Sequence, residues 1–318
     1  MKTSQKAKEI LLALARWFDN SAGGDIDTNE RAAVDWVRCL PFIAMHLACF
    51  SVIWVGWSRT AVVTAVTLYI VRMLAITGFY HRYFSHKTFR TSRWFQFVMA
   101  VAGNTSVQRS PLWWAAHHRF HHLNADTEQD IHSPRKQGLL WSHMGWITSK
   151  TNFKTRLKMI PDFTKFPELL FLDRFDTIVP AVFAVLVFSF GVFLEKFFPA
   201  LGTNGMQMLV WGFVISTVFL AHGTFTINSL SHKFGTIRYP TDDDSRNNLL
   251  LSLVTLGEGW HNNHHHYSAA TRQGFYWWEI DITYYFLLLL NRMGLIWDLK
   301  SVPEDVLNGA RSRIVLPA

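Results

Sequence analysis

The chain has 318 residues, of which 49% are hydrophobic, 15% aromatic and only 17% charged; a water-soluble globule carries more charge than this. Its net charge of +8 admits nucleic acid or an anionic membrane surface, and the long apolar stretches decide for membrane lipid, so no nucleic-acid partner is expected. Two cysteines, Cys39 and Cys49, form neither a CxxC pair nor a disulfide framework, which excludes a thiolate-held cluster.

Residues 1–34 are polar and mixed in charge, without a basic stretch running directly into a short apolar core. They read as a cytosolic N-terminal segment that is not a secretory signal. A helix of about 20 apolar residues crosses a bilayer core. Four stretches approach that length, at about 37–57, 61–80 (interrupted by Arg72), 178–194 and 206–230. Short connections pair them into two membrane hairpins. The long segment between the hairpins is rich in Lys and Arg, whereas the hairpin loops carry Arg59 and Lys196. The positive-inside bias therefore places both termini and the long segment in the cytoplasm. Trp94–Val107 and Tyr276–Leu290 read as buried or interfacial helices, the latter with a fifth span as the alternative. Residues 35–300 form one membrane domain, and residues 301–318 a loose tail. The predicted fold is an all-α integral membrane protein with a cytosolic helical cap.

Three histidine clusters punctuate this pattern: His81 with His86, His118 with His121 and His122, and His261 with His264 and His265. The last two obey i, i+3, i+4, so each trio can share a helix face. His81 and His86 are five apart and share no face of a regular α-helix. Eight such imidazoles are too many for one tetrahedral zinc; they suit two ions, and all-nitrogen ligation suits iron, copper or zinc. HExxH is absent, and Glu-x-x-His, which carboxylate-bridged di-iron bundles carry twice, occurs once, at Glu258–His261. His46 and His222, inside apolar spans, read as packed or hydrogen-bonded residues. His132 and His143 read as outer or surface groups, and His117 and His266 as outer-shell candidates.

Five motifs then carry a family resemblance over roughly residues 40–300: Gly78-Phe-Tyr-His-Arg-Tyr-Phe-Ser-His86, His118-Arg-Phe-His-His122, Ser142-His-Met-Gly-Trp146, Asn228-Ser-Leu-Ser-His232 and Gly257-Glu-Gly-Trp-His-Asn-Asn-His-His265. In order and spacing the chain resembles membrane-bound fatty acid desaturases of the stearoyl-CoA Δ9 type. The resemblance implies four transmembrane helices, a cytosolic cap and two irons held by His81, His86, His118, His121, His122, His232, His261, His264 and His265, with Asn228 holding a metal-bound water. It places Gln108, Trp114, Thr224 and Phe225 along a bent acyl tunnel, and Arg135 and Lys136 in the headgroup region, where Arg109 is a further cation. At Ala116 and His117 the animal acyl-CoA enzymes carry an Arg-Asp pair instead, so the acyl carrier is coenzyme A, a lipid or a carrier protein.

The expected reaction is O2-dependent insertion of a cis double bond into a saturated acyl chain, at Δ9 by resemblance, at a cytoplasmic site of a multi-pass bacterial inner-membrane protein. With no haem or iron–sulfur segment of its own, the chain requires an external donor of the ferredoxin, rubredoxin or cytochrome b5 type. The rivals are a membrane hydroxylase with the same centre and a non-enzymatic metal-binding or transport protein. The latter calls for ligands along a path through the membrane.

Overall fold

The computed structural model describes residues 10–12, 14–22 and 33–314. The rest of the expected N-terminal segment and the end of the tail lie outside the described residues. Among these, three helices are long and apolar enough to cross a membrane: α2 (Arg59–Ser85), α6 (Ile178–Phe197) and α7 (Gly205–His232). The first apolar stretch forms a shorter helix, α1 (Leu40–Val55). At 1.5 Å per residue α1 is about 24 Å long, against a hydrocarbon core of about 30 Å.

The four helices share one apolar cluster. Met45 and Ala48 of α1, Ala61 and Leu68 of α2, Val187 and Leu194 of α6, and Met208 and Phe213 of α7 pack together. The outward side of α6 exposes Val182, Val185, Leu186 and Phe190, as a lipid-facing helix does. Arg72, which interrupts the second stretch, turns inward. Its guanidinium donates to Thr217 Oγ1 at 2.7 Å, to Ser216 Oγ at 2.5 Å and to the Thr105 carbonyl at 3.2 Å. A cation in an apolar span is tolerated when it faces protein acceptors in this way.

Between α2 and α6 lie α3 (Arg93–Asn104), α4 (Pro111–Asn124) and α5 (Pro167–Arg174). After α7 come α8 (Leu249–Val254), α9 (His261–His266), α10 (Ile282–Arg292) and α11 (Glu304–Ile314). A two-residue antiparallel ladder, β1 (Arg90–Thr91) with β2 (Ile296–Trp297), ties the two parts with Arg90 opposite Trp297. α4 starts as helix-capping chemistry requires: the Ser110 hydroxyl accepts the Trp113 N–H at 2.9 Å and Pro111 opens the first turn. The main core joins α2, α3, α4, α5 and α10 through Phe79, Phe84, Met99, Leu112, Leu169 and Leu287.

Two expectations change. Tyr276–Leu290 is not one long helix, and α10 spans only 11 residues, about 16 Å, too short to cross. The tail is helical in α11, because Val306 and Leu307 pack beside Tyr239, Ala270 and Phe275.

Candidate metal centre and lipid cavity

The histidines converge as two adjacent groups. His81, His86, His118, His122 and His264 bring one ring nitrogen each within 4.8 Å of one another; His121, His232, His261 and His265 do the same. Sequence spacing suggested that each trio acts on one face. The structure divides both trios instead. On a 3.6-residue helix, positions i+3 and i+4 fall on opposite sides of i. α4 therefore gives His118 and His122 to the first group and His121 to the second; α9 gives His261 and His265 to the second and His264 to the first.

His81 and His86 reach a common point because the end of α2 changes pitch. Over Ala75–Ser85 the helix is π-type, and the His86 N–H donates to the His81 carbonyl five residues back at 3.3 Å. Residues i and i+5 thus face the same way, an arrangement that recurs at functional sites.

The ring nitrogens are set up for a cation. In the first group the Nε2 atoms of His86 and His118, His118 and His122, His122 and His264, and His264 and His81 lie 2.8, 3.0, 2.9 and 3.0 Å apart. Behind them carboxylates take the other ring nitrogen. His121 Nδ1 donates to Asp130 at 3.1 Å, His232 Nδ1 to Asp126 at 2.8 Å and His265 Nδ1 to Asp243 at 2.7 Å, and His81 Nδ1 pairs with Glu258. With the proton held on Nδ1, each Nε2 keeps its lone pair for the centre. His121 Nε2 and His265 Nε2 are buried without any partner, which a bound metal ion would satisfy. The donor set therefore fits metal ions.

Electrostatics agrees. Burial, and after it the neighbouring imidazoles, pushes His118, His122, His261 and His264 well below the usual histidine range. Burial pushes Asp126, Asp130 and Asp243 up, but their histidine partners outweigh it and leave all three carboxyls below the usual range. Glu258 is held low in the same manner by His81 and Arg82. In the metal-free protein these four histidines and the carboxylates set the same sign; His121, which Asp130 raises against the effect of burial, opposes them. An unfolded histidine takes a proton near pH 6.5 and these buried ones do not, so falling pH favours the unfolded state. The carboxylates add to this below about pH 4. Thermal midpoints of the metal-free protein are therefore expected to decline steadily from about pH 6.5 downward, and a midpoint unchanged between pH 7 and 5 contradicts the assignment of neutral rings. Asp130→Asn keeps the shape but offers His121 an ambiguous partner. Metal affinity is expected to fall about 10–100-fold, measured by competition with a chelator.

None of the four carboxylates was singled out by sequence. Asp126 and Asp130 follow His122 within eight residues and Glu258 precedes His261 by three, a local signal; Asp243 carries none that separates it from surface acids. The glycines around Glu258 have a steric reason. Gly257 has φ +136° and a Cβ there would strike Asp281 and Arg82; one at Gly259 would strike the Ser252 backbone nitrogen.

An apolar cavity of ≈ 290 Å³ leads to the histidines. Gln108, Arg109, Trp114, Thr224, Phe225 and Asn228 all line it. Trp114 stacks on His118 with centroids 5.0 Å apart, and Gln108 Nε2 donates to Thr224 Oγ1 at 2.9 Å, closing one wall. Asn228 also borders a small chamber of ≈ 40 Å³ beside His81, His121 and His261. Val107 and Arg109 hold left-handed φ values of +59° and +68°, a strain tolerated where function fixes a side chain. Arg135 and Lys136 lie elsewhere, paired with Asp244 at 3.6 Å and Glu128 at 2.5 Å, and do not line the cavity.

The remaining histidines take other places. His132 is buried beside His121, with rings 4.2 Å apart, and His266 stacks on Tyr239 at 4.3 Å. His46, His222 and His143 form one chain. His46 Nδ1 donates to the Phe42 carbonyl at 2.8 Å, His222 Nε2 lies 3.1 Å from His46 Nε2, and His143 Nε2 lies 2.9 Å from His222 Nδ1.

Comparison with known proteins accords with this geometry. The profile described as fatty acid desaturase matches residues 37–287. The chain is 32% identical over 278 residues to the sn-1 stearoyl-lipid 9-desaturase of Anabaena variabilis, covering 86% of this chain and 97% of that protein. It is 33% identical to the chloroplastic palmitoyl-monogalactosyldiacylglycerol delta-7 desaturase of Arabidopsis thaliana, covering 86% of this chain and 71% of the relative. It is 34% identical to the acyl-CoA 5-desaturase AL21 of Anemone leveillei, covering 82% and 78%. That family uses iron, and the two histidine groups can hold metal. Paired imidazole groups at the foot of an apolar cavity and a match over most of the chain lead to one conclusion: this protein belongs to the fatty acid desaturases, membrane-bound enzymes that oxidise acyl chains.

Proposed function

We infer that the protein inserts a cis double bond, at Δ9, into a saturated fatty acyl chain, using two irons. The observation that carries this reading is an apolar cavity that reaches His118, with a small chamber beside Asn228 that borders His81, His118, His121 and His261 of the two adjacent imidazole groups. His81, His86, His118, His122 and His264 would hold one iron, and His121, His232, His261 and His265 the other, with Asn228 positioning a water. When bound, the irons supply the oxidation: with O2, two electrons and two protons, two hydrogens leave neighbouring carbons and two waters form. The chain's own residues do the rest. A methylene offers no charge to grip, so apolar walls and the Trp114 ring fix which carbons arrive. Asp126, Asp130, Asp243 and Glu258 keep the Nδ1 protons in place and the rings oriented.

The surrounding arrangement follows the same reading. α1, α2, α6 and α7 are four spans within a desaturase domain of residues 35–300, with a cytosolic cap, both termini cytoplasmic and the whole in a bacterial inner membrane. The shared apolar cluster of the four helices supports α1 as a span despite its length. Electrons come from an external ferredoxin, rubredoxin or cytochrome b5-type donor, to which the basic segment between the hairpins offers a complementary surface.

Metal-free protein reloaded with iron and given reductant and oxygen is expected to convert stearoyl or palmitoyl substrates to products lighter by two hydrogens. Product heavier by one oxygen identifies a hydroxylase, and equal product without oxygen rejects the mechanism. Expression in a host lacking desaturases, with fatty acids analysed by lipid class, reports the bond position.

A further inference from the structure

The relatives' names divide among lipid and coenzyme A carriers, so kinship leaves the acyl carrier open. The cavity itself discriminates. Its described lining includes three arginines, Arg16, Arg38 and Arg109, against one carboxylate, Asp176. Arg38 and Arg109 come from distant parts of the chain and meet on one acceptor: Arg38 Nη2 and Arg109 Nη2 donate to Asn20 Oδ1 at 2.6 and 3.1 Å. Arg109 Nε lies 3.0 Å from Asp176, the one carboxylate of the described cavity lining; Asp35 beside Arg38 and Asp173 near Arg109 lie outside that lining. Arg38 is 8% exposed and its guanidinium sits 4.2 Å over the Phe153 ring. Nearby in the lining, buried His117 donates Nδ1 to the Trp113 carbonyl at 2.9 Å. Its Nε2 is left as a buried acceptor with no partner.

We propose that Arg38 and Arg109 bind the phosphodiester of a membrane glycerophospholipid whose acyl chain enters the cavity, with His117 Nε2 accepting a hydroxyl of the glycerol or headgroup. This rests on the desaturase reading and names its substrate class. The same phosphate chemistry is offered by coenzyme A. The wall of the cavity favours the lipid: Pro41, Phe42 and Met45 of α1 and Val218 and Ala221 of α7 border it, so the cavity runs alongside helices that lie in the bilayer, where a phospholipid already resides. Planar guanidinia are suited to phosphate oxygens.

Native mass spectrometry of the full-length protein decides it, with equal amounts of distearoyl phosphatidylglycerol, distearoyl monogalactosyldiacylglycerol and stearoyl-CoA in competition. The phosphatidylglycerol is expected to be retained at least about tenfold over the galactolipid, and the double substitution Arg38→Gln, Arg109→Gln to remove that preference. Equal retention of the galactolipid by the unaltered protein overturns the proposal without any variant. So does a preference unchanged by the double substitution. Stearoyl-CoA retained above the phospholipid assigns the phosphate site to the other carrier and overturns the lipid assignment. Desaturation assays on the same three substrates separate the two levels: product from none of them rejects the desaturase reading, whereas product from stearoyl-CoA alone rejects only the carrier.

Discussion

Replacing His264 by alanine is expected to abolish desaturation and to lower the iron content of the purified protein. His264 is buried, and its Nε2 lies 3.0 Å from that of His81 and 2.9 Å from that of His122, so its loss opens the middle of the first group. Removing a neighbouring carboxylate of a ligand costs about 10–100-fold in affinity or activity; removing the ligand itself is expected to exceed the upper figure. Iron per chain, measured by elemental mass spectrometry, should fall, and product should drop more than about 100-fold while the helical circular dichroism stays unchanged. His121→Ala should do the same to the second group. Full iron and full turnover in either variant would remove the basis of the metal assignment.

The largest stability effect is expected at Arg82, between the two histidines of the first motif. Its side chain is 1% exposed. Nη1 donates to Asp281 Oδ2 at 3.0 Å and to the Thr271 carbonyl at 2.8 Å; Nη2 donates to Asp281 Oδ1 at 2.9 Å and to Glu258 Oε1 at 3.0 Å. Arg82→Met leaves two carboxylates buried and uncompensated. Breaking such a pair costs about 3–5 kcal/mol, a fall in thermal midpoint on the order of 10 °C. Glu258 also holds His81, so metal retention should weaken as well. Replacing Asp281 by Asn in the same chain removes one of the stranded charges while an amide oxygen still accepts the Tyr284 N–H that caps α10, and part of the midpoint should return. A midpoint unmoved by Arg82→Met would mean that water reaches these carboxylates.

The sequence carried what is local. The i, i+3, i+4 trios lie on helices because three- and four-residue spacing is a property of a single helix, and α6 and α7 were visible as uninterrupted apolar runs. Distant pairings were not legible. Asp243 meets His265 across a loop and does not differ in sequence from an acid facing solvent; Glu258 stands in the last histidine motif, yet nothing there names distant His81 as its partner. The allotment of His121 and His264 to the groups opposite their neighbours depends on where the facing helices stand. The change of pitch that aligns His81 with His86 is dictated by packing of Ala75–Ser85, every residue of which is buried. Arg38 was hidden for a different reason. It stands at the edge of an apolar stretch, far along the chain from Arg109, and only the fold brings the two together. His46 and His222, read one by one as packed or hydrogen-bonded residues, are partners of each other.

The sharing of α4 and α9 between the two imidazole groups has a mechanical corollary. Because each helix grips both centres, sliding or tilting either one carries its share of both along, and the gap between the centres is tied to the rise of a helical backbone rather than to the looser docking of separate parts. Thermal breathing of the surrounding helices can then vary the approach of the acyl chain while leaving the spacing of the two imidazole groups nearly constant.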